Sequence, residues 1–512
     1  MTGPCILTHD IGTTGNKAVL FDVEKQEIIC SMYFEYPTFY PKAGWAEQNP
    51  QDWWTAFKET TKKILKVSKI KPDDISAISF SGQMMGCLPV DEHGTPLSNS
   101  IIWMDQRSIK ESELIKRKIG EEKFYKITGN RNSPTYPIAK ILWLKNNMSQ
   151  IYEKAHKFLQ SKDFIISKLT GQFLTDFSDA SLSGMFDVNK RQWSQFLLET
   201  LNIDHEKLPD ICPSIHIAGE LAGNVAKELN LSKGTPVVVG GGDGACATAG
   251  AGVVEVGETY NYIGASSWIA TCTETPFFDP EMRTFNMWHL DENKLLIIGT
   301  MQAAGGSLRW LRDEICKLEK ICAENIGGSV YAILDSKAEK IPPGAEKLIF
   351  LPYLMGERAP WWNPYARGVF FGLSLSHGRA HMIRAVLEGV AFNLKIIVDI
   401  LEESAGKIGS IRVIGGGARS KLWRQILADI FGKEILVPCF LEEATAVGAA
   451  IAGGVGVKIF KDFSAAHDVV KIVERHVPNL EINKKYSMLY KFFKKLYLTL
   501  VPLYRELAQI EI

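Results

Sequence analysis

The 512-residue chain contains no run of about 18 apolar residues, so nothing in it reads as a membrane-spanning helix. Met1 to Asp10 lacks a basic segment followed by an apolar one, and no secretory leader is expected. Neither sign of charge is in excess: 58 Lys plus Arg face 58 Asp plus Glu, a net charge of +0. That balance argues against a broad basic surface for nucleic acid or anionic membrane. The nine cysteines, an odd number, include no Cys-x-x-Cys, and Cys316 and Cys322 are too far apart for a zinc knuckle. A reduced, cytoplasmic protein is expected. No low-complexity linker interrupts the chain, and its glycine-rich turns fit neither Gly-x-Gly-x-x-Gly nor a Lys-bearing P-loop.

What is present is an ordinary globular composition, 46% hydrophobic and 23% charged. The first segment reads as three short strands, Cys5–Thr8, Lys17–Phe21 and Glu27–Tyr33, separated by turns at 10–15 and 22–26. A helix from Pro50 to Val67 and a strand over Ile75–Phe80 follow, an α/β order. The second half opens alike, with strands over 258–263 and 268–272 about a turn at 264–267. Ile11-Gly-Thr-Thr14 aligns with Ile263-Gly-Ala-Ser266, which predicts two related halves. In that repeat Tyr262 takes the place of Asp10. Strands over 347–351 and 411–414, helices over 380–402, 420–431 and 444–453, and a Ser420 N-cap are also predicted. The segment 483–494 reads as an amphipathic terminal helix with a solvated basic face. The halves are expected to divide near 246–256, giving 1–248 and 249–512.

Pro236-Val-Val-Val239 runs into Gly240-Gly-Gly-Asp243, which places a carboxylate at a strand exit where a ligand approaches closely. Three turns, 10–15, 264–267 and 415–417, expose backbone N–H groups suited to phosphate, with hydroxyls from Thr13, Thr14, Ser266 and Ser267. The third also leads into a helix N-terminus at Ser420. Phosphoryl transfer needs such donors, a metal and a base on the attacking hydroxyl. Asp243 is therefore predicted as general base and Asp10 as a Mg²⁺ ligand, with Asp243 near the same metal. The simpler reading of each carboxylate is a turn cap. His9 is expected to pack inside. Trp45, Trp53, Trp54, Trp361 and Trp362 read as packing rather than sugar-stacking residues, and Glu357–Arg358 as a structural ion pair.

The chain resembles the FGGY family of carbohydrate kinases, most closely its xylulokinase branch. The resemblance rests on Asp10-Ile-Gly-Thr-Thr14, Gly44-Trp-Ala-Glu-Gln-Asn-Pro50, Ser81-Gly-Gln-Met84, Trp103-Met-Asp-Gln-Arg107 and Gly240-Gly-Gly-Asp243. It continues through Gly264-Ala-Ser-Ser267, Gly356-Glu-Arg-Ala-Pro360, Gly415-Gly-Gly-Ala-Arg-Ser420 and Glu443-Ala-Thr-Ala-Val-Gly448. A first family signature runs from Pro137 through Lys140, Trp143 and Asn147, with Thr135 departing at its start. The resemblance implies two actin-like (ribonuclease H-like) domains with the active site in the cleft between them. It implies ATP- and Mg²⁺-dependent phosphorylation of a sugar or polyol, and leaves a homodimer open. It assigns Gly415, Gly416 and Gly417 to the nucleotide, and the reading of the turns adds Gly264 and Ser420. It assigns Gln83, Met84, Met85, Trp103 and Asp105 to the sugar. Xylulokinases read Gly-Gln-Met-His-Gly where this chain has Gly82-Gln-Met-Met-Gly86. Met85 lacks the imidazole donor, which puts D-xylulose in doubt. The competing readings are a glycerol-type polyol kinase and an actin-like nucleotide-binding protein that has no small acceptor.

Overall fold

The computed structural model describes residues 3–510. Strand β1 (Cys5–Ile11) pairs antiparallel with β2 (Gly15–Asp22), and β2 with β3 (Glu27–Glu35). On its other side β1 runs parallel to β4 (Ile75–Gly82). The sheet closes with β5 (Ile217–Glu220) antiparallel to β6 (Pro236–Val238), which lies parallel to β4. β1 is central, and all its residues but Asp10 are buried, the polar Thr8 and His9 included. The expected turn at 10–15 is shorter than predicted: Asp10 and Ile11 still belong to the strand.

The second sheet repeats this plan. β7 (Thr259–Ile263) pairs antiparallel with β8 (Ser267–Thr273); the edge strand β9 (Phe285–Trp288) and β10 (Leu295–Met301) extend that side. On the other side β7 runs parallel to β11 (Ser410–Ile414), and β11 to β12 (Glu434–Pro438). β13 (Ile472–His476) ends the sheet antiparallel to β12. Six strands of each sheet therefore match in order and direction, and Ile11 and Ile263 both terminate the central strand.

Helix α1 (Pro50–Ser68) covers the first sheet. Asn49 caps it by accepting the Gln51 N–H, Pro50 opens it, and Trp53, Ala56, Phe57 and Ile64 form its buried face. His9 packs beneath it, bonded to Asn16 and Thr61, as expected. α2 (Asp243–Gly250) follows β6, while α3 (Arg379–Ala405) and α4 (Lys421–Phe431) belong to the second half. α5 (Ala444–Gly456) follows β12 as α2 follows β6, and α6 (Leu480–Gln509) is the terminal helix. It exceeds the predicted span because Tyr486, Phe493, Tyr497 and Tyr504 continue its buried stripe.

The halves meet along α2 and α5. A Cβ on Gly250 would lie 1.7 Å from the Ala444 carbonyl oxygen, and one on Gly448 would lie 1.9 Å from that of Cys246. Only glycine permits backbones this close. One hydrophobic cluster draws on both sheets and both helices, including Ile6, Ala77, Cys246, Tyr260, Ile414 and Val447.

Candidate active site

Both carboxylates stand where the two halves face each other. Asp243 is the first residue of α2, at the end of a glycine turn; Gly240 has φ 67, and a Cβ there would lie 1.9 Å from the Phe80 carbonyl oxygen. The turn thus presses onto β4 and delivers the half-buried Asp243 to the cleft. Burial, and then the neighbouring Asp10 charge, pushes the Asp243 carboxyl up to about 7. The Asp10 carboxyl is raised by burial as well. Its Oδ1 accepts from Ser81 Oγ at 2.8 Å within its own sheet. Its Oδ2 accepts from Thr445 Oγ1 of α5 at 2.9 Å, so it bridges the halves. Among the described residues no three His, Cys, Asp or Glu side chains form a metal-holding group. Two carboxylates with phosphate and water are a fitting environment for Mg²⁺, which binds oxygen and keeps several waters.

The glycine turns divide between the sheets. Gly12 N–H donates to the Gly15 carbonyl, Thr13 Oγ1 accepts from Trp103 Nε1 at 2.9 Å, and Thr14 Oγ1 bonds Tyr33 Oη at 2.8 Å. In the second half a cavity of about 450 Å³ is lined by Gly264, Gly416, Gly417 and Ser420. Gly415 has φ 87, and a Cβ there would lie 2.7 Å from the Ile263 carbonyl oxygen. Ser420 caps α4 by accepting the Trp423 N–H, as predicted. Ser266 is exposed at the β7–β8 turn, whereas Ser267 lies in β8 and donates to the Tyr262 carbonyl.

The predicted sugar residues are placed less uniformly. Trp103 is half-buried beside the Thr13 turn, and Met85 is half-buried against the cluster that spans both halves. Met84 is buried under the Gly240–Asp243 turn; a Cβ on Gly242 would lie 2.6 Å from its Cε. Gln83 is buried, donating to Gln48 Oε1 at 2.7 Å and to the Gly12 carbonyl at 3.3 Å, with its own Oε1 unpartnered. Asp105 is buried in a bidentate pair with Arg107 and accepts the Ala46 N–H at 2.6 Å. Arg107 stacks on Trp45, 3.8 Å from the ring centroid. Trp53 and Trp54 lie in the core, and Trp361 stacks on Tyr497, as the packing reading expects. The expected Glu357–Arg358 ion pair does not form. Buried Glu357 accepts N–H groups of Gln302, Arg358 and Asn393 instead, because backbone and amide donors reach it and the guanidinium does not.

The family model for the N-terminal domain of FGGY carbohydrate kinases matches residues 5–250, and that for the C-terminal domain matches 259–457. The chain belongs to the FGGY family of carbohydrate kinases. It is 35% identical to a gluconokinase of Bacillus subtilis over 507 residues, covering 99% of this chain and 98% of that protein. It is 31% identical to a xylulose kinase of Escherichia coli, covering 96% and 99%. A solved gluconate kinase from Lactobacillus acidophilus superposes with a TM-score of 0.90 at 29% identity, covering 98% of this chain and 99% of that one. The chain is thus a carbohydrate kinase with the two-domain actin-like fold, and kinases of this family use ATP. Among the described residues no helix is long and apolar enough to cross a membrane.

Several residues of this FGGY site escape a reading of the sequence. Arg309, Tyr331 and Asp335 line the same cavity as Gly416 and Gly417. Thr445 lies within a quoted family motif, but its reach to Asp10 depends on the fold. Beneath the Asp243 turn, fully buried Lys162 meets Asp163, Asp176 and Asp179 at 2.8, 2.9 and 3.0 Å. Asp176 accepts both the N–H and the hydroxyl of Ser178, whose Oγ accepts the Gly242 N–H at 2.9 Å. The residue preceding Asp243 is therefore tied to a buried ionic cluster. Its only sequence signal is a cluster of polar residues within an otherwise apolar stretch.

Proposed function

We propose that the chain transfers the γ-phosphoryl group of ATP to a hydroxyl of gluconate, with Asp243 as general base. The observation that carries the chemistry is the Asp243 carboxyl, raised to about 7 at a helix start facing Asp10. A base with that affinity takes a hydroxyl proton near neutral pH without being idle as a permanent weak base. The proton passes to Asp243 as the acceptor oxygen attacks phosphorus and ADP leaves. Asp10 and Asp243 would hold Mg²⁺, which supplies positive charge against the phosphate oxygens. The 264–266 and 415–417 turns and the 450 Å³ cavity supply the nucleotide side. On this reading the units divide at 1–248 and 249–512, with α2 at the junction.

The choice of acceptor rests on two supports. Full-length relatives named gluconokinase share 35–36% identity with the chain. Position 85 carries Met, an apolar and weakly accepting surface, in place of a donating imidazole. D-xylulose is the second reading, favoured by the relatives named xylulose kinase. A coupled ADP-release assay with gluconate, D-xylulose and glycerol tests both. Gluconate is expected to give the highest kcat/KM. A higher value for D-xylulose selects the second reading, and no ADP release with any of the three acceptors overturns the acceptor reading.

A further inference from the structure

Lys140 lies on the helix Pro137–Asn147 and is fully buried. Among the described residues its ammonium has no carboxylate partner. Its Nζ donates to two carbonyl oxygens, Met85 at 2.7 Å and Ile102 at 2.8 Å. The first belongs to the turn after β4, and the second immediately precedes Trp103. A backbone bridge between Cys87 and Ile101 joins these two segments at one end, and Lys140 ties them again beside Met85 and Trp103, the part read as facing the acceptor. Met85 also has φ 62, a left-handed backbone that a residue with a Cβ adopts only when its surroundings impose it. The charged and titratable groups facing Lys140 are Cys87, Asp105 and Arg107. Asp105 is engaged by Arg107, and burial pushes the Lys140 ammonium down to about 7.

We propose that Lys140 is a positioning residue for the acceptor: it clamps the Met85 and Trp103 segments together and holds Met85 in its left-handed turn. The proposal rests on the reading that these segments face the acceptor. The ammonium forms charge-assisted bonds to both carbonyls, and the neutral amine forms weaker ones. The clamp is thus strongest below pH 7 and loosens as pH rises through that value. The nucleotide cavity lies in the other sheet and makes no contact with Lys140, so ATP use is independent of it.

Three proteins decide the matter: wild type, Lys140→Met and Lys140→Arg. Acceptor dissociation constants for gluconate and D-xylulose are measured by calorimetry without ATP from pH 6 to 8.5, and KM for acceptor and ATP by ADP release. Lys140→Met should raise the dissociation constant and KM of the better acceptor at least tenfold while the ATP KM moves less than twofold. Wild-type affinity should weaken with rising pH. Lys140→Arg keeps its charge throughout, so its profile should lack that component; Asp243 is common to both proteins and cancels in the comparison. Should Lys140→Met not fold, the wild-type and Lys140→Arg profiles decide alone, and identical profiles overturn the proposal. Equal losses for ATP and acceptor, or an unchanged acceptor constant in folded Lys140→Met, also overturn it. Wild-type protein with no ADP release on either probe instead overturns the acceptor reading itself.

Discussion

The two halves have the same six-strand arrangement and opposite chemical equipment. At the end of the central strand the first half carries Asp10 and the second carries Tyr262, stacked on Trp268 at 4.1 Å. At the start of the helix after the corresponding parallel strand, the first half has Asp243 and the second has Ala444. The second half carries open glycine turns and a cavity of about 450 Å³ lined by Gly264, Gly416 and Gly417. On the proposed function, one framework used twice is divided into a side that would handle protons and metal and a side that would receive nucleotide. Asp10 spans the division, since one oxygen answers to Ser81 and the other to Thr445.

The sharpest way to break this contrast is to neutralise the first half's carboxylate. Asp243→Asn keeps the shape and the α2 start but cannot take a proton. The rate should fall about 10²–10⁴-fold, the usual worth of a general base. Binding of metal-free nucleotide, measured by calorimetry, should stay within about twofold because the cavity belongs to the other sheet. Near-wild-type turnover would remove Asp243 from the role of base.

Much of this contrast is legible in the sequence alone. Apolar strands and glycine exits locate both central strands, and the Ile11–Ile263 alignment is in register with the fold. Side-chain direction is not legible there. Gln83 and Asp105 sit in acceptor-region motifs, yet one ties Gln48 to the Gly12 turn and the other neutralises Arg107. Nothing local in a sequence states which partner a polar group will find once distant segments meet. Arg309 and Asp335 reach the nucleotide cavity from helices far along the chain. The Lys162 cluster likewise unites residues whose proximity is a product of packing. The glycine after Ile11 marks a break and so suggests a turn at Asp10, but the strand's hydrogen bonds persist two residues further than that signal implies.

The pH dependence sharpens the comparison next. With Asp243 as the proposed base, its active form is the carboxylate, so activity should fall as pH drops below neutrality. Burial raises this group most and Asp10 second. In Mg²⁺-free protein, Asp10→Asn removes the second cause and should lower the pH at which the Asp243 carboxyl titrates, read by carbon NMR. A titration that stays in place would mean that the two carboxylates do not sense each other.

The seam offers a test by volume. Gly448→Ala improves intrinsic helix propensity, which alone would stabilise α5 by up to about 1 kcal/mol. The added carbon would, however, stand 1.9 Å from the Cys246 backbone carbonyl, and backbone cannot rotate away as a side chain does. The helices must separate, at about 1–3 kcal/mol. Chemical denaturation should show a net loss of stability. A gain would mean that α2 and α5 can move apart freely and that the seam is softer than its glycines imply.

The smallest expected effect lies beneath the base. Ser178→Ala removes the acceptor for the Gly242 N–H and the hydroxyl donor to Asp176, while Lys162 and the other two carboxylates stay in place. A net hydrogen bond is worth about 0.5–1.5 kcal/mol, which corresponds to about 2–10-fold if it is spent on aiming Asp243. The loss should fall on kcat, because the proposed nucleotide cavity does not touch Ser178. Ser178→Thr retains the hydroxyl and should recover most of it. If Ser178→Ala lowers the melting temperature yet leaves kcat unchanged, the buried cluster supports the fold of the first half without setting the direction of its carboxylate. The chemical division between the halves would then begin at Asp243 itself.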